Sequence, residues 1–172
     1  MMAKVYWLDT NVLITARNGP FRFSINPGFW SFIDAQVKAG RIRAPKMVYR
    51  EILHYEGAND ELTKWVKNRR NSGLFVDEDG PVQKAMTEVS DHVMKTYEEH
   101  HAAEFLRGAD PWLVAHAKVS SAVVVTFEKR QPGASRVKIP NVCAELGIRF
   151  VDPYDMLEEL EAAFTIKKKG SK

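Results

Sequence analysis

Four carboxylates sit where the chain changes from one kind of structure to the next. Asp9 ends the apolar run Val5-Tyr6-Trp7-Leu8 and is followed by Thr10-Asn11. Glu51 lies within Val48-Tyr49-Arg50-Glu51-Ile52-Leu53, Asp110 within Gly108-Ala109-Asp110-Pro111, and Glu128 just beyond Val123-Val124-Val125-Thr126. Singly, each has an ordinary explanation. Asp9 can cap the turn after a strand, and Asp110 before a proline can cap a helix. Glu51 can lie on a solvated helix face and Glu128 in a surface loop. Together they pose a different problem. Three or four carboxylates at one place repel and raise one another's pKa unless a cation intervenes. Such an oxygen-only set suits Mg²⁺ or Mn²⁺, which keep several waters and use few carboxylates directly. An ion of this kind polarises phosphate oxygens and activates water for in-line attack on a phosphodiester.

Whether the four meet depends on the elements that carry them. Lys4–Leu8 reads as a buried strand. Asn26-Pro27 opens a helix with Phe29, Trp30, Ile33 and Val37 at helical spacing, and Gly40 ends it. Arg41–Ala44 is a strand broken by Pro45, and Lys46–Tyr55 a helix. Asp60 caps a further helix to about Asn71, Leu74–Val76 is a short apolar segment, and Pro81–His100 reads as one helix. Then come a helix from Asp110 to about Ser120, a β-branched strand Ala122–Thr126 and a polar loop over 127–138. A helix Ile139–Leu146, a strand Arg149–Val151 and a helix Pro153–Phe164 complete the series. Strands separated by helices predict a three-layer α/β/α sandwich on a parallel sheet of about four or five strands. In such a fold ligands bind at the carboxyl ends of the strands, where Asp9 is expected.

Composition bounds the rest. The 172 residues suit one domain over residues 1–164, with a basic tail over 165–172. Four of the 25 basic residues fall in that tail; without them 21 bases face 22 acids, so net charge does not argue for nucleic acid. The single Cys143 excludes an internal disulfide or a cysteine-clustered zinc site, and fits a cytoplasmic setting. No stretch is long and apolar enough for a signal segment or a membrane span. No P-loop, glycine-rich dinucleotide motif or Gly-x-Ser-x-Gly elbow is present. Asn11 stands where a haloacid-dehalogenase-type phosphotransferase would want a second aspartate. His92, His100 and His101 invite a metal reading, but neighbouring residues on a helix face different ways, so a solvated helix end is expected for the pair. His116 stays unassigned. Lys46, Arg50, Lys129 and Arg130 flank the expected site and are candidates for phosphate contacts, with Trp65 or Phe127 as base-stacking platforms.

The run Leu8-Asp9-Thr10-Asn11-Val12-Leu13-Ile14 resembles the opening motif of PIN domains. Glu51, then Ala109-Asp110 with Leu113 and Ala117, then Val125-Thr126-x-Glu128 match the later motifs in order, over roughly residues 3–160. Lys138-Ile139-Pro140-Asn141-Val142-Cys143 is similar to a bacterial and archaeal subfamily grouped with VapC-type toxins. The resemblance implies a Mg²⁺- or Mn²⁺-dependent endoribonuclease, often dimeric, held inactive by a small antitoxin. It implies that Asp9, Glu51 and Asp110 hold the metal and do the catalysis. Thr10 and Asn11 would orient the first carboxylate, and Thr126 would line the same edge. Glu128 departs from the aspartate or asparagine of many relatives, which leaves its contact with the metal open. A silent RNA- or protein-binding module, and a PIN nuclease of RNA maturation or flap processing, are the alternatives. The segments around residues 15–30 and Pro81–His100 exceed a minimal domain.

Overall fold

A computed structural model describes residues 4–55 and 60–165; most of the expected basic tail lies outside the described residues. Five strands form one parallel sheet: β1 (Tyr6–Leu8), β2 (Ile42–Pro45), β3 (Phe75–Val76), β4 (Val123–Val125) and β5 (Phe150–Val151). Their spatial order is β3-β2-β1-β4-β5. The chain therefore builds outward from β1 on one side, then crosses over to place β4 on the other. The carboxyl ends of β1 and β4 mark that switch point, where an open parallel sheet leaves a crevice.

The strands are short and buried on both faces, so their residues alternate between two cores. Tyr6, Leu8, Ile42, Ala44, Val123 and Val125 face one layer, with α1 (Thr10–Asn18), α2 (Pro27–Lys38), α3 (Lys46–His54), α4 (Glu61–Asn68) and α9 (Pro153–Glu159). Trp7 and Val124 face the other, with α5 (Gly80–Thr96), α6 (Glu99–Leu106), α7 (Asp110–Ser120) and α8 (Ile139–Glu145). The three-layer sandwich expected from the alternation of patterns is the architecture found.

Three elements depart from the sequence reading. Helix α1 follows β1 after the single residue Asp9, in a stretch rich in β-branched residues that favour helix weakly. It forms because Val12, Leu13 and Ala16 bury on the sheet. The expected helix Pro81–His100 is two helices, broken where Tyr97 and Glu98 are extended, after which α6 turns back to bury Ala102 and Phe105. Helix α9 stops at Glu159 rather than Phe164, and Glu161 takes a left-handed conformation (φ 54°). Pro45 closes β2 as its last residue and sends the chain straight into α3.

Candidate active site

Asp9 extends the β1 ladder by one step, its N–H donating to Val125 O at 3.0 Å, and then starts α1 as its N-cap. Its carboxylate is almost wholly buried, 1% exposed. Oδ2 accepts from Thr126 Oγ1 at 3.0 Å across the switch point, and Oδ1 from Asn11 N at a long 3.4 Å. Burial pushes its pKa up to about 6; the Thr126 and Asn11 bonds oppose that rise, and the charges of Glu128 and Glu51 add to it.

Glu51 comes from the middle of α3 and is tied to two other elements. Oε2 accepts from Thr10 Oγ1 at 2.5 Å, and Oε1 from Ala109 N at 2.8 Å. Gly108 makes the second contact feasible, since a Cβ there would stand 3.0 Å from Glu51 Oε1. The carboxylate is thus clamped between the start of α1 and the start of α7. Thr10 orients Glu51 rather than Asp9, and Asn11 steadies Asp9 through its backbone.

Asp110 is the first residue of α7 and does not cap it; Ala109 is the cap residue, with no side-chain cap bond. Among the described residues no donor bonds the Asp110 carboxylate and no cation pairs with it. Burial pushes its pKa up to about 8, helped by the charges of Asp9, Glu51 and Glu128. That set of causes places all four sequence-picked carboxylates in one electrostatic neighbourhood. Glu128 is tied to the next helix and lies near a cation. Oε2 accepts from Ile139 N at 2.8 Å, at the start of α8, while Oε1 lies 3.8 Å from Lys138 Nζ.

This donor set is oxygen-only, with Asp9 buried and the other three half-buried, and its chemistry suits a hard divalent ion. The carboxylates are openly spaced. Among the described residues the trio whose ligand atoms lie within 4.8 Å of one another is Glu98, His100 and His101, at the start of α6. Among the described residues no three of the four carboxylates meet that spacing, so an ion here would be held directly by few of them, with water completing its shell. A cleft of about 220 Å³ is lined by two of the four, Asp110 and Glu128, with His101, Glu104, Arg136 and Lys138. Roomier hollows lie elsewhere, such as one of about 410 Å³ by Tyr97, Arg130 and Glu145, but that one is lined by none of the four carboxylates. Burial of charge, not volume, singles out the smaller cleft.

The other sequence candidates fare unevenly. Lys46 rests over the Tyr49 ring and Arg50 is exposed beside Met47. Lys129 pairs with Asp152 at 3.0 Å, and Arg130 faces the larger hollow. Trp65 is buried against Trp30 with Arg69 over its ring, so it cannot stack a base. Half-buried Phe127 packs against Tyr154. His92 bonds Glu145, and His116 is a core residue stacked on Trp7, its pKa pushed down to about 4 by burial. Burial likewise pushes the Cys143 thiol up to about 12. His101 corrects the expectation of a solvated helix end, because it lines the cleft beside Asp110. The helix break after Thr96 that turns it there left no mark in the sequence.

Residues 6–164 match the family described as "Domain of unknown function (DUF4411)". No curated protein matches the chain in sequence. Among solved structures, a chain of DNA-bound VapBC from Salmonella typhimurium superposes with a TM-score of 0.55 at 20% identity, covering 88% of this chain and 98% of that one. A chain of FitAcB from Neisseria gonorrhoeae gives 0.52 at 18% identity, over 87% and 99%. A chain of VapBC2 from Rickettsia felis, bound to a promoter DNA fragment, gives 0.53 at 10% identity, over 86% and 98%. The PIN-type fold that the motifs suggested is thereby shared along nearly the whole of each neighbour.

Proposed function

The chain belongs to the DUF4411 family, and from that premise, its fold and its gathered carboxylates we propose that it is a Mg²⁺- or Mn²⁺-dependent endoribonuclease. The observation that carries the proposal is Asp110. A half-buried carboxylate beside three others, with no donor and no cation among the described residues, gains from a counter-charge supplied from outside the chain. In this reading Asp9 and Asp110 hold the ion directly, Glu51 stands in the same field, and Glu128 supports from the cleft wall. When bound, the ion supplies Lewis-acid polarisation of the phosphate and an activated water. The chain's own part is positioning. Thr126 and the Asn11 N–H fix the Asp9 carboxylate, while Thr10 and the Ala109 N–H fix Glu51. Glu51, held at both oxygens, would serve as the proton acceptor for the attacking water.

The structural neighbours come from FitAB and VapBC assemblies, which supports a toxin partnered by a small antitoxin, with a homodimer as its assembly. Lys46, Arg50, Lys129 and Arg130 are proposed to meet the RNA backbone, Lys129 by exchanging its Asp152 pair for a phosphate. Purified chain free of any partner should cleave RNA with Mg²⁺ or Mn²⁺ and lose that activity in Asp9→Asn and in Asp110→Asn. Expression alone should arrest growth, and a small neighbouring gene should relieve the arrest. A folded chain that cleaves no RNA with either ion points instead to a silent binding module, which the fully bonded Glu51 and Glu128 would then serve as structural ties.

A further inference from the structure

His101, from α6, lines the cleft together with Glu104, Arg136 and Lys138 and with the acids Asp110 and Glu128. Its Nδ1 is buried without a hydrogen-bond partner, and Nε2 makes no hydrogen bond among the described residues either. An imidazole in that position costs less with a bare lone pair at the buried nitrogen than with a stranded N–H. With Nδ1 unpartnered, Nε2 is the nitrogen left to donate to a ligand. Around it, Arg136 is paired with Glu104 at 2.6 Å and Lys138 lies 3.8 Å from Glu128. Arg136 and Glu104 are both more than half exposed, so their pair is weak and exchangeable.

We propose that this cleft is the path of the RNA strand beside the scissile bond, with His101, Arg136 and Lys138 binding the adjacent phosphate. The inference rests on the nuclease reading above. Three donors and two acids of the proposed metal group line the same cleft. A phosphodiester strand is the one ligand that meets both needs, an anion for the donors and a reacting phosphate for the acids. Glu104 then acts as a stand-in anion, holding Arg136 at the mouth until a phosphate displaces it. His101 touches substrate without touching the metal, so its loss weakens binding and leaves metal affinity alone.

Short single-stranded RNA, titrated into the full chain carrying Asp9→Asn, reads binding without cleavage. Adding His101→Ala should weaken that binding by about tenfold, the scale of one charge-assisted hydrogen bond, while His101→Gln, which keeps a donor, should restore much of it. In the cleaving chain His101→Ala should raise KM by a similar factor with kcat little changed. Glu104→Gln should tighten RNA binding by freeing Arg136. Mn²⁺ affinity, measured by calorimetry, should be the same with and without His101. Unchanged RNA affinity and KM in both His101 variants overturns the proposal while leaving the nuclease intact. A loss of Mn²⁺ affinity in His101→Ala also overturns it, by making the ring a metal ligand. RNA affinity that depends on His101 in a chain that cleaves nothing would support the strand path and sink the nuclease reading.

Discussion

Asp110 sets the behaviour of the metal-free site. Its pKa stands near 8 and that of Asp9 near 6, both above the ordinary 3.8. A raised carboxylate pKa means that the folded chain holds its proton more tightly than the unfolded chain. The stability this gives is fully present below about pH 4 and is lost as pH rises through 6 and then 8. Glu159 works the other way, since Arg149 and Tyr6 hold its pKa down to about 2, and its contribution fades only in acid. The metal-free chain should therefore melt at progressively lower temperature from about pH 5 to pH 8. Asp110→Asn should remove the upper part of that decline and melt several degrees above the parent at pH 8, with little difference at pH 5. Calorimetric melts at the two pH values check this; equal melting at pH 8 would mean that Asp110 is ionised without strain. Gly108 supplies a second residue-scale test. An alanine there meets Glu51 Oε1 at 3.0 Å, so Gly108→Ala should displace the carboxylate by a few tenths of an ångström. Cleavage should fall by about tenfold or more at a cost near 1 kcal/mol in stability. Asp9, Glu51 and Asp110 were legible because a short apolar run, a helix pattern and an Asp-Pro start each have a local signature. The Gly108 contact was not, because a glycine's need for space depends on a side chain 57 positions away.

Elements decide which side chains arrive together, and here the sequence was a good guide to strands and a weaker one to helix breaks. All five strands stand within a residue or two of their apolar runs, since a doubly buried strand writes itself as consecutive β-branched or aromatic residues. The break between α5 and α6 carries no glycine or proline, and the apolar period runs on toward Tyr97. It is held from outside, by Tyr97 Oη donating to Glu145 of α8 at 2.7 Å and by burial of Ala102 and Phe105. Helix α8 offers the test that belongs to this scale. Glu128 Oε2 takes the Ile139 N–H at its first turn, a side-chain cap supplied from the preceding loop. Glu128→Ala should cost about 1 kcal/mol in urea unfolding, the usual value of a lost cap. Glu128→Gln, which keeps an acceptor, should recover most of that stability. Should Glu128→Gln abolish Mn²⁺ binding while preserving stability, Glu128 is a ligand first and a cap second.

At the scale of the whole molecule, the strand order β3-β2-β1-β4-β5 puts the switch point between β1 and β4, and thus Asp9 against Thr126. The alternation of strands and helices makes such a crevice foreseeable, but not how α3 and α7 bring Glu51 and Asp110 to its rim. That convergence follows from packing of helices on two separate faces of the sheet, which no local window records. It has a thermodynamic cost: the folded chain gathers four carboxylates that the unfolded chain keeps apart. A ligand that binds only the gathered arrangement must stabilise the fold. At a hundred times its dissociation constant, Mn²⁺ or Mg²⁺ should contribute about 2.7 kcal/mol. For a chain of this length that is roughly 5–10 °C in melting temperature. The rise should be larger at pH 8 than at pH 5, because protons compete with the cation for Asp9 and Asp110 below their raised pKa values. It should vanish in Asp9→Asn with Asp110→Asn, while Ca²⁺, which takes more oxygen ligands at longer distances, should stabilise less. A melting temperature indifferent to Mn²⁺ and Mg²⁺ at pH 8 would mean that the acidic group is paid for by the rest of the fold and binds no ion at all.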